Sequence, residues 1–151
     1  MIDKPQGFTS HDVVDAVRRK LNIRRVGHAG TLDPLATGLL IVLVGGATKR
    51  FNYFMNFDKE YLATLKLGVA TDSGDSQGKP KQTSSYEGVT REQVCTVLES
   101  LEGKIENIPP MVSAIRYKGK RLYELARKGI IVKLPARIVE IHKLQLLGFA
   151  L

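Results

Sequence analysis

Asp33 and His28 are the side chains of this sequence best placed to do chemistry. Both fall in one stretch rich in backbone-shaping residues, Gly27-His28-Ala29-Gly30-Thr31-Leu32-Asp33-Pro34-Leu35-Ala36-Thr37-Gly38. Glycine admits positive φ and close approach of another molecule, while Pro34 fixes its own φ and biases Asp33 towards extended backbone. Asp33 is therefore held stiffly. Two readings fit such a residue: it opens a turn, or it is a positioned nucleophile or base. Hydrolysis by paired acid and base needs a second carboxylate, and this stretch offers Asp33 alone, which disfavours a glycosidase-like hydrolase. His28 lies five residues earlier. That interval sets no distance in a loop, so a structural and a ligand-contacting histidine both remain open.

The elements that must hold these residues follow from periodicity. The stretch reads as a shaped loop between the strand-like Arg24-Arg25-Val26 and an apolar strand at 39–44, buried on both faces and ended by Gly45-Gly46. Upstream, Val13, Val14, Val17 and Leu21 have helical spacing behind Thr9 and Ser10, and Thr9 to Asp12 has the spacing of a capping box. Asp12 and Asp15 near the start, with Arg18, Arg19 and Lys20 at the end, complement the helix dipole. Residues 47–55 read as a short helix, and 60–69 as a half-buried strand with Tyr61, Ala63, Leu65, Leu67 and Val69 on one face. Taken alone, Tyr61 reads as a core tyrosine of that strand.

Residues 71–80 form a glycine-rich acidic loop that lacks the calcium-loop spacing, and Gly45, Gly46 and Lys49 lack the phosphate-loop spacing. No metal site and no nucleotide cofactor is therefore expected. Thr90, Val94, Val97, Leu98 and Leu101, with Gly103 behind, predict a capped helix that carries Cys95 as a half-buried thiol. After Pro109-Pro110 come a strand at 112–117, a bend at Lys118-Gly119 and a short helix at 121–128 closed by Gly129. Residues 137–151 alternate as a strand ending on an apolar run; its unpaired edge predicts self-association and a continuation beyond residue 151. The expected fold class is α+β, a single unit with several strands and three or four short helices.

Composition bounds the partners. A chain of 151 residues with 23 Lys and Arg against 15 Asp and Glu carries a net charge of +8, which suits a surface that meets polyanions and makes nucleic acid the first candidate. Arg18, Arg19 and Lys20 are then either a solvated helix end or part of that surface. The single cysteine excludes an internal disulfide and a thiolate metal cluster. With no run of about eighteen apolar residues and no signal-peptide core, no membrane is expected and a reducing cytoplasmic setting fits.

The loop string resembles the signature of the TruB-type pseudouridine synthases, the tRNA pseudouridine-55 synthases. Further motifs agree in order: Asp3-Lys4-Pro5 with Gly7-Phe8-Thr9-Ser10, then Lys59-Glu60-Tyr61, Thr71-Asp72-Ser73-Gly74-Asp75, Pro109-Pro110-Met111-Val112-Ser113-Ala114 and Gly119-Lys120-Arg121-Leu122-Tyr123-Glu124-Leu125-Ala126-Arg127. The resemblance implies a mixed, largely antiparallel sheet flanked by short helices, incomplete at its C-terminus, with the active site in a cleft across the sheet. It implies cofactor-free isomerisation of a uridine in the T-arm loop of tRNA: the N1–C1′ bond breaks, the uracil turns, and C5 rejoins C1′. It places the catalytic aspartate at Asp33, the RNA-contacting histidine at His28, and the tyrosine that stacks on the flipped base and serves in proton transfer at Tyr61. Asp75 falls on an aspartate that salt-bridges an active-site arginine, and Lys4 and Pro5 on a motif that buttresses the cleft. Departures are Asn107-Ile108 where the family has Gln before Pro-Pro, Val112 in place of an aromatic, and the absence of the later segment carrying the arginine and of the C-terminal PUA domain. A basic RNA-binding module without turnover is the alternative.

Overall fold

The computed structural model describes residues 1–108, 116, 117, 119–121, 125, 130, 132 and 134–150. They group into two compact units, Met1–Ala63 and Thr64–Leu151. The class is α+β, and every strand pairing among the described residues is antiparallel.

In the first unit the apolar strand β3 (Gly38–Val44) is the spine of a three-stranded sheet. Its first half pairs with β1 (Ile2–Lys4) and its second with β2 (Val26–Ala29), in the register Ile2↔Leu40 and His28↔Val42. Leu40 and Leu43, on opposite faces of β3, are buried, yet Leu39 is 62% exposed, so the strand is covered on both faces only in part. Helix α1 (Ser10–Leu21) packs on β2 and buries Val13 and Val14. Thr9 caps it in the expected box with Asp12, and Asn22 ends it in the left-handed region, φ 51°, its N–H reaching the carbonyls of Arg18 and Arg19. Arg18 is more than a solvated helix end. It donates to Asp15 and to the Val26 carbonyl, both at 2.8 Å, and ties the helix end to β2, while Arg19 and Lys20 stay exposed. A 3-10 turn over Gly45–Arg50 leads into the short helix α2 (Phe51–Met55).

The expected strand at 60–69 does not form. Regular structure returns only at Val69, and Tyr61, Leu62 and Leu65 are 69%, 86% and 79% exposed. Alternation makes a strand only where a neighbour takes up the backbone N–H and C=O groups. Among the described residues no strand pairs with residues 60–68.

In the second unit β4 (Val69–Thr71) pairs with β5 (Pro80–Thr83), and β6 (Gly103–Asn107) with β9 (Arg137–Ile141). A two-residue hairpin joins β7 (Arg116–Tyr117) to β8 (Lys120–Arg121), with Gly119 at φ 82°. Helix α3 (Arg91–Ser100) starts at a second capping box, Thr90 with Gln93, and carries Cys95 half-buried. The C-terminal strand is shorter than expected: it stops at Ile141, exactly where its partner β6 begins, at Gly103. Residues 142–150 are tied instead by Leu144 N–H to Glu102 and by Arg91 to the Leu146 carbonyl. Of the expected strand at 112–117, Arg116 and Tyr117 form β7 and the rest lies outside the described residues; of the helix expected at 121–128, Arg121 belongs to β8 instead, Leu125 is helical and buried, and the other residues lie outside the described ones.

Candidate active site

The stretch around Asp33 is a hairpin connection. Gly27, His28 and Ala29 belong to β2 and Gly38 opens β3, so the loop is shorter than its sequence predicts, spanning residues 30–37. Its ends turn on Gly30 and Gly38, at φ 96° and 112°, a region a side chain rarely enters. At its tip the Ala36 N–H donates to the Asp33 carbonyl at 3.0 Å, a turn with Pro34 at its second position, where a fixed φ is favoured.

Three contacts hold the tip to the N-terminal segment. The Gly7 N–H donates to the Pro34 carbonyl at 2.8 Å. Lys4, fully buried, points Nζ at the carbonyls of Phe8 (2.7 Å), Pro5 (3.2 Å) and Pro34 (3.5 Å). Lys4 is thus not a solvated terminal lysine, and among the described residues it forms no ion pair; its ammonium joins the chain around Pro5 to the loop. The buried Ser10 hydroxyl accepts the Leu32 N–H at 3.0 Å and donates to the Leu32 carbonyl at 3.2 Å.

The Asp33 side chain itself is exposed, with no hydrogen-bond or ion-pair partner among the described residues. A carboxylate left to solvent at the tip of a pinned turn is free to meet a ligand as acceptor, base or nucleophile. Two open clefts of the first unit, about 690 and 300 Å³, are lined by groups that include Arg50 with Phe54 and Asp12 with Arg19; neither is lined by Asp33.

His28 sits on β2 opposite Val42, its Nδ1 2.8 Å from the Gly30 carbonyl. A carbonyl only accepts, so Nδ1 carries the proton of this bond. The ring of His11 meets it edge-on, centroids 5.4 Å apart at 81°. Among the described residues neither His28 nor Tyr61 forms a hydrogen bond with the Asp33 carboxylate, and Tyr61 lies exposed on the irregular segment. The structure therefore gathers Lys4, Pro5, His28 and Asp33 around one loop and leaves Tyr61 outside that network.

Asp75 belongs to the second unit. One of its carboxylate oxygens accepts from the Ser73 hydroxyl at 2.6 Å and from the N–H groups of Gln77 (3.0 Å) and Gly78 (3.2 Å). The Ser73 bond first, then the Gln77 amide and least the Gly78 amide, hold this carboxyl below its ordinary range against the opposing effect of burial. Gly78 closes the loop so tightly that a Cβ there would collide with Ser73 Oγ. No arginine reaches Asp75 among the described residues. The sequence assigns no site role to Ser10, which appears only within the Gly7-Phe8-Thr9-Ser10 motif, or to His11, because their partners Leu32 and His28 lie far along the chain. Among the described residues no cluster of His, Cys, Asp or Glu is arranged to hold a metal, and no helix is long and apolar enough to cross a membrane.

Residues 18–151 match the family described as TruB family pseudouridylate synthase (N terminal domain). The chain is 44% identical over 149 residues to a tRNA pseudouridine synthase B of Hydrogenovibrio crunogenus, covering 99% of this chain and 49% of that one. It is 50% identical over 146 residues to a protein of the same name from Symbiobacterium thermophilum, covering 97% and 49%. The chain thus spans about half the length of these curated relatives. Among solved structures it is similar to a chain of a Cbf5-Nop10-Gar1 complex, with 27% identity, a TM-score of 0.48, and coverage of 76% of this chain and 29% of that one.

Proposed function

This chain belongs to the TruB family of pseudouridylate synthases, and from that membership we propose that it forms the N-terminal part of a catalytic domain that isomerises a uridine in the T-arm loop of tRNA to pseudouridine. No cofactor takes part. Asp33 is the catalytic group, acting on the flipped nucleotide as nucleophile or base. His28 contacts the RNA beside it, and Tyr61 stacks on the base and handles a proton at C5. Lys4 and Pro5 buttress the loop, and Asp75 serves at second remove. The net charge of +8 favours a polyanionic substrate, and the setting is cytoplasmic. Self-association along β9, which pairs with β6 alone among the described residues, belongs to the same proposal.

The observation that carries the reading is the loop tip: an exposed, unpartnered carboxylate on a turn pinned through Leu32 and Pro34. Because Asp33 has no cationic partner among the described residues, a second reading is an RNA-binding module without turnover. Incubation with an unmodified tRNA transcript separates them. Asp33→Asn is expected to melt at the wild-type temperature and bind the transcript as tightly, yet form no pseudouridine. Pseudouridine formed by that variant at the wild-type rate would sink the assignment. Binding without conversion by the wild type would establish the second reading.

A further inference from the structure

We propose that Ser10 is a positioning residue for Asp33, acting through the peptide groups of Leu32; the inference rests on the catalytic reading of Asp33 given above. Since the carboxylate has no partner among the described residues, its aim is set by the backbone on either side. After Asp33 that backbone is fixed by Pro34, whose carbonyl takes the Gly7 N–H, and by the turn to Ala36. Before Asp33 the holder is a single side chain. Ser10 Oγ accepts the N–H of Leu32 at 3.0 Å and donates to its carbonyl at 3.2 Å, so one hydroxyl fixes both polar groups of the residue preceding the carboxylate.

The hydroxyl stands on a firm base. Ser10 is the first residue of α1, directly after the N-cap Thr9 and within its box with Asp12, and is 2% exposed, so bulk water does not compete for the two bonds. Supporting hydrogen bonds of this kind lock the geometry of a reacting group without touching the ligand. Their loss lowers the rate of the chemical step and leaves binding of the rest of a large substrate in place.

Three variants test the assignment: Ser10→Ala, Ser10→Thr, which keeps the hydroxyl, and Ser10→Cys, which keeps the volume and weakens both bonds. In single-turnover conversion of a tRNA transcript, Ser10→Ala is expected to lower the rate constant about a hundredfold with affinity unchanged within about twofold. Ser10→Thr is expected to recover most of the rate. Exchange of the Leu32 amide hydrogen should be at least about tenfold faster in Ser10→Ala than in wild type. If Ser10→Ala loses cooperative melting, Ser10→Cys carries the same comparison. Wild-type turnover in the folded Ala or Cys variant, a loss confined to affinity, or an unchanged Leu32 exchange rate would each overturn the proposal. A wild-type chain that converts no uridine would instead overturn the reading of Asp33, and Leu32 exchange still tests the clamp by itself.

Discussion

Lys4 shows what a charged side chain must find when it is withdrawn from water. An ammonium with no carboxylate beside it is costly to bury unless its protons are taken up, and here the carbonyls of Phe8, Pro5 and Pro34 receive it. Lys4→Met keeps the stem and removes the donor, leaving those carbonyls short of a partner. It is expected to destabilise the protein by about 1–3 kcal/mol, read as a lower urea midpoint at constant m-value. A midpoint equal to wild type would mean that water enters and replaces the ammonium. Asp75 offers a test with a definite sign. Its carboxyl titrates below the ordinary value when folded, so the unfolded chain binds the proton more readily. The stabilisation is therefore present above the usual carboxylate pKa of about 4 and disappears as pH falls through the lower folded value. Ser73→Ala should raise the Asp75 pKa in a carboxyl-carbon NMR titration; an unmoved titration would assign the effect to the Gln77 and Gly78 amides alone.

Elements that satisfy their own backbone were legible in the sequence. Helices α1 and α3 both start at a capping box whose spacing the residues announce, because a helix and its cap are local events. Thr9→Ala should accordingly cost about 1 kcal/mol in urea denaturation. A loss below about 0.3 kcal/mol would show that packing of Val13 and Val14, not the cap, fixes the start of α1. Strands are not local. Residues 60–69 alternate as clearly as β3 is apolar, yet only β3 finds neighbours on both sides, in β1 and β2. The C-terminal strand likewise stops at Ile141, opposite the first residue of β6, whatever its own pattern. The same distinction governs the site: Asp33 and His28 stand out within one motif, whereas the bond from Ser10 to Leu32 spans 22 positions that no local pattern connects.

For the molecule as a whole, charge sets the most general expectation. A chain of net charge +8 that binds RNA should do so with an affinity that falls steeply as salt is raised, each phosphate-contacting cation adding about 0.7 to the logarithmic slope for single strands. Filter binding from low to moderate salt measures it, and a flat response would point to a partner other than nucleic acid. The buried ammonium of Lys4 adds a consequence of a different kind. An acylating reagent needs the free electron pair of an amine, and this amine is turned inward on three carbonyls while the surface lysines face the reagent. In a timed modification experiment Lys4 would lag behind them, reacting only in the moments when the segment before α1 lifts off Pro34. Its labelling rate would then clock the loop's spontaneous release, a motion that a static picture of the closed hairpin does not contain.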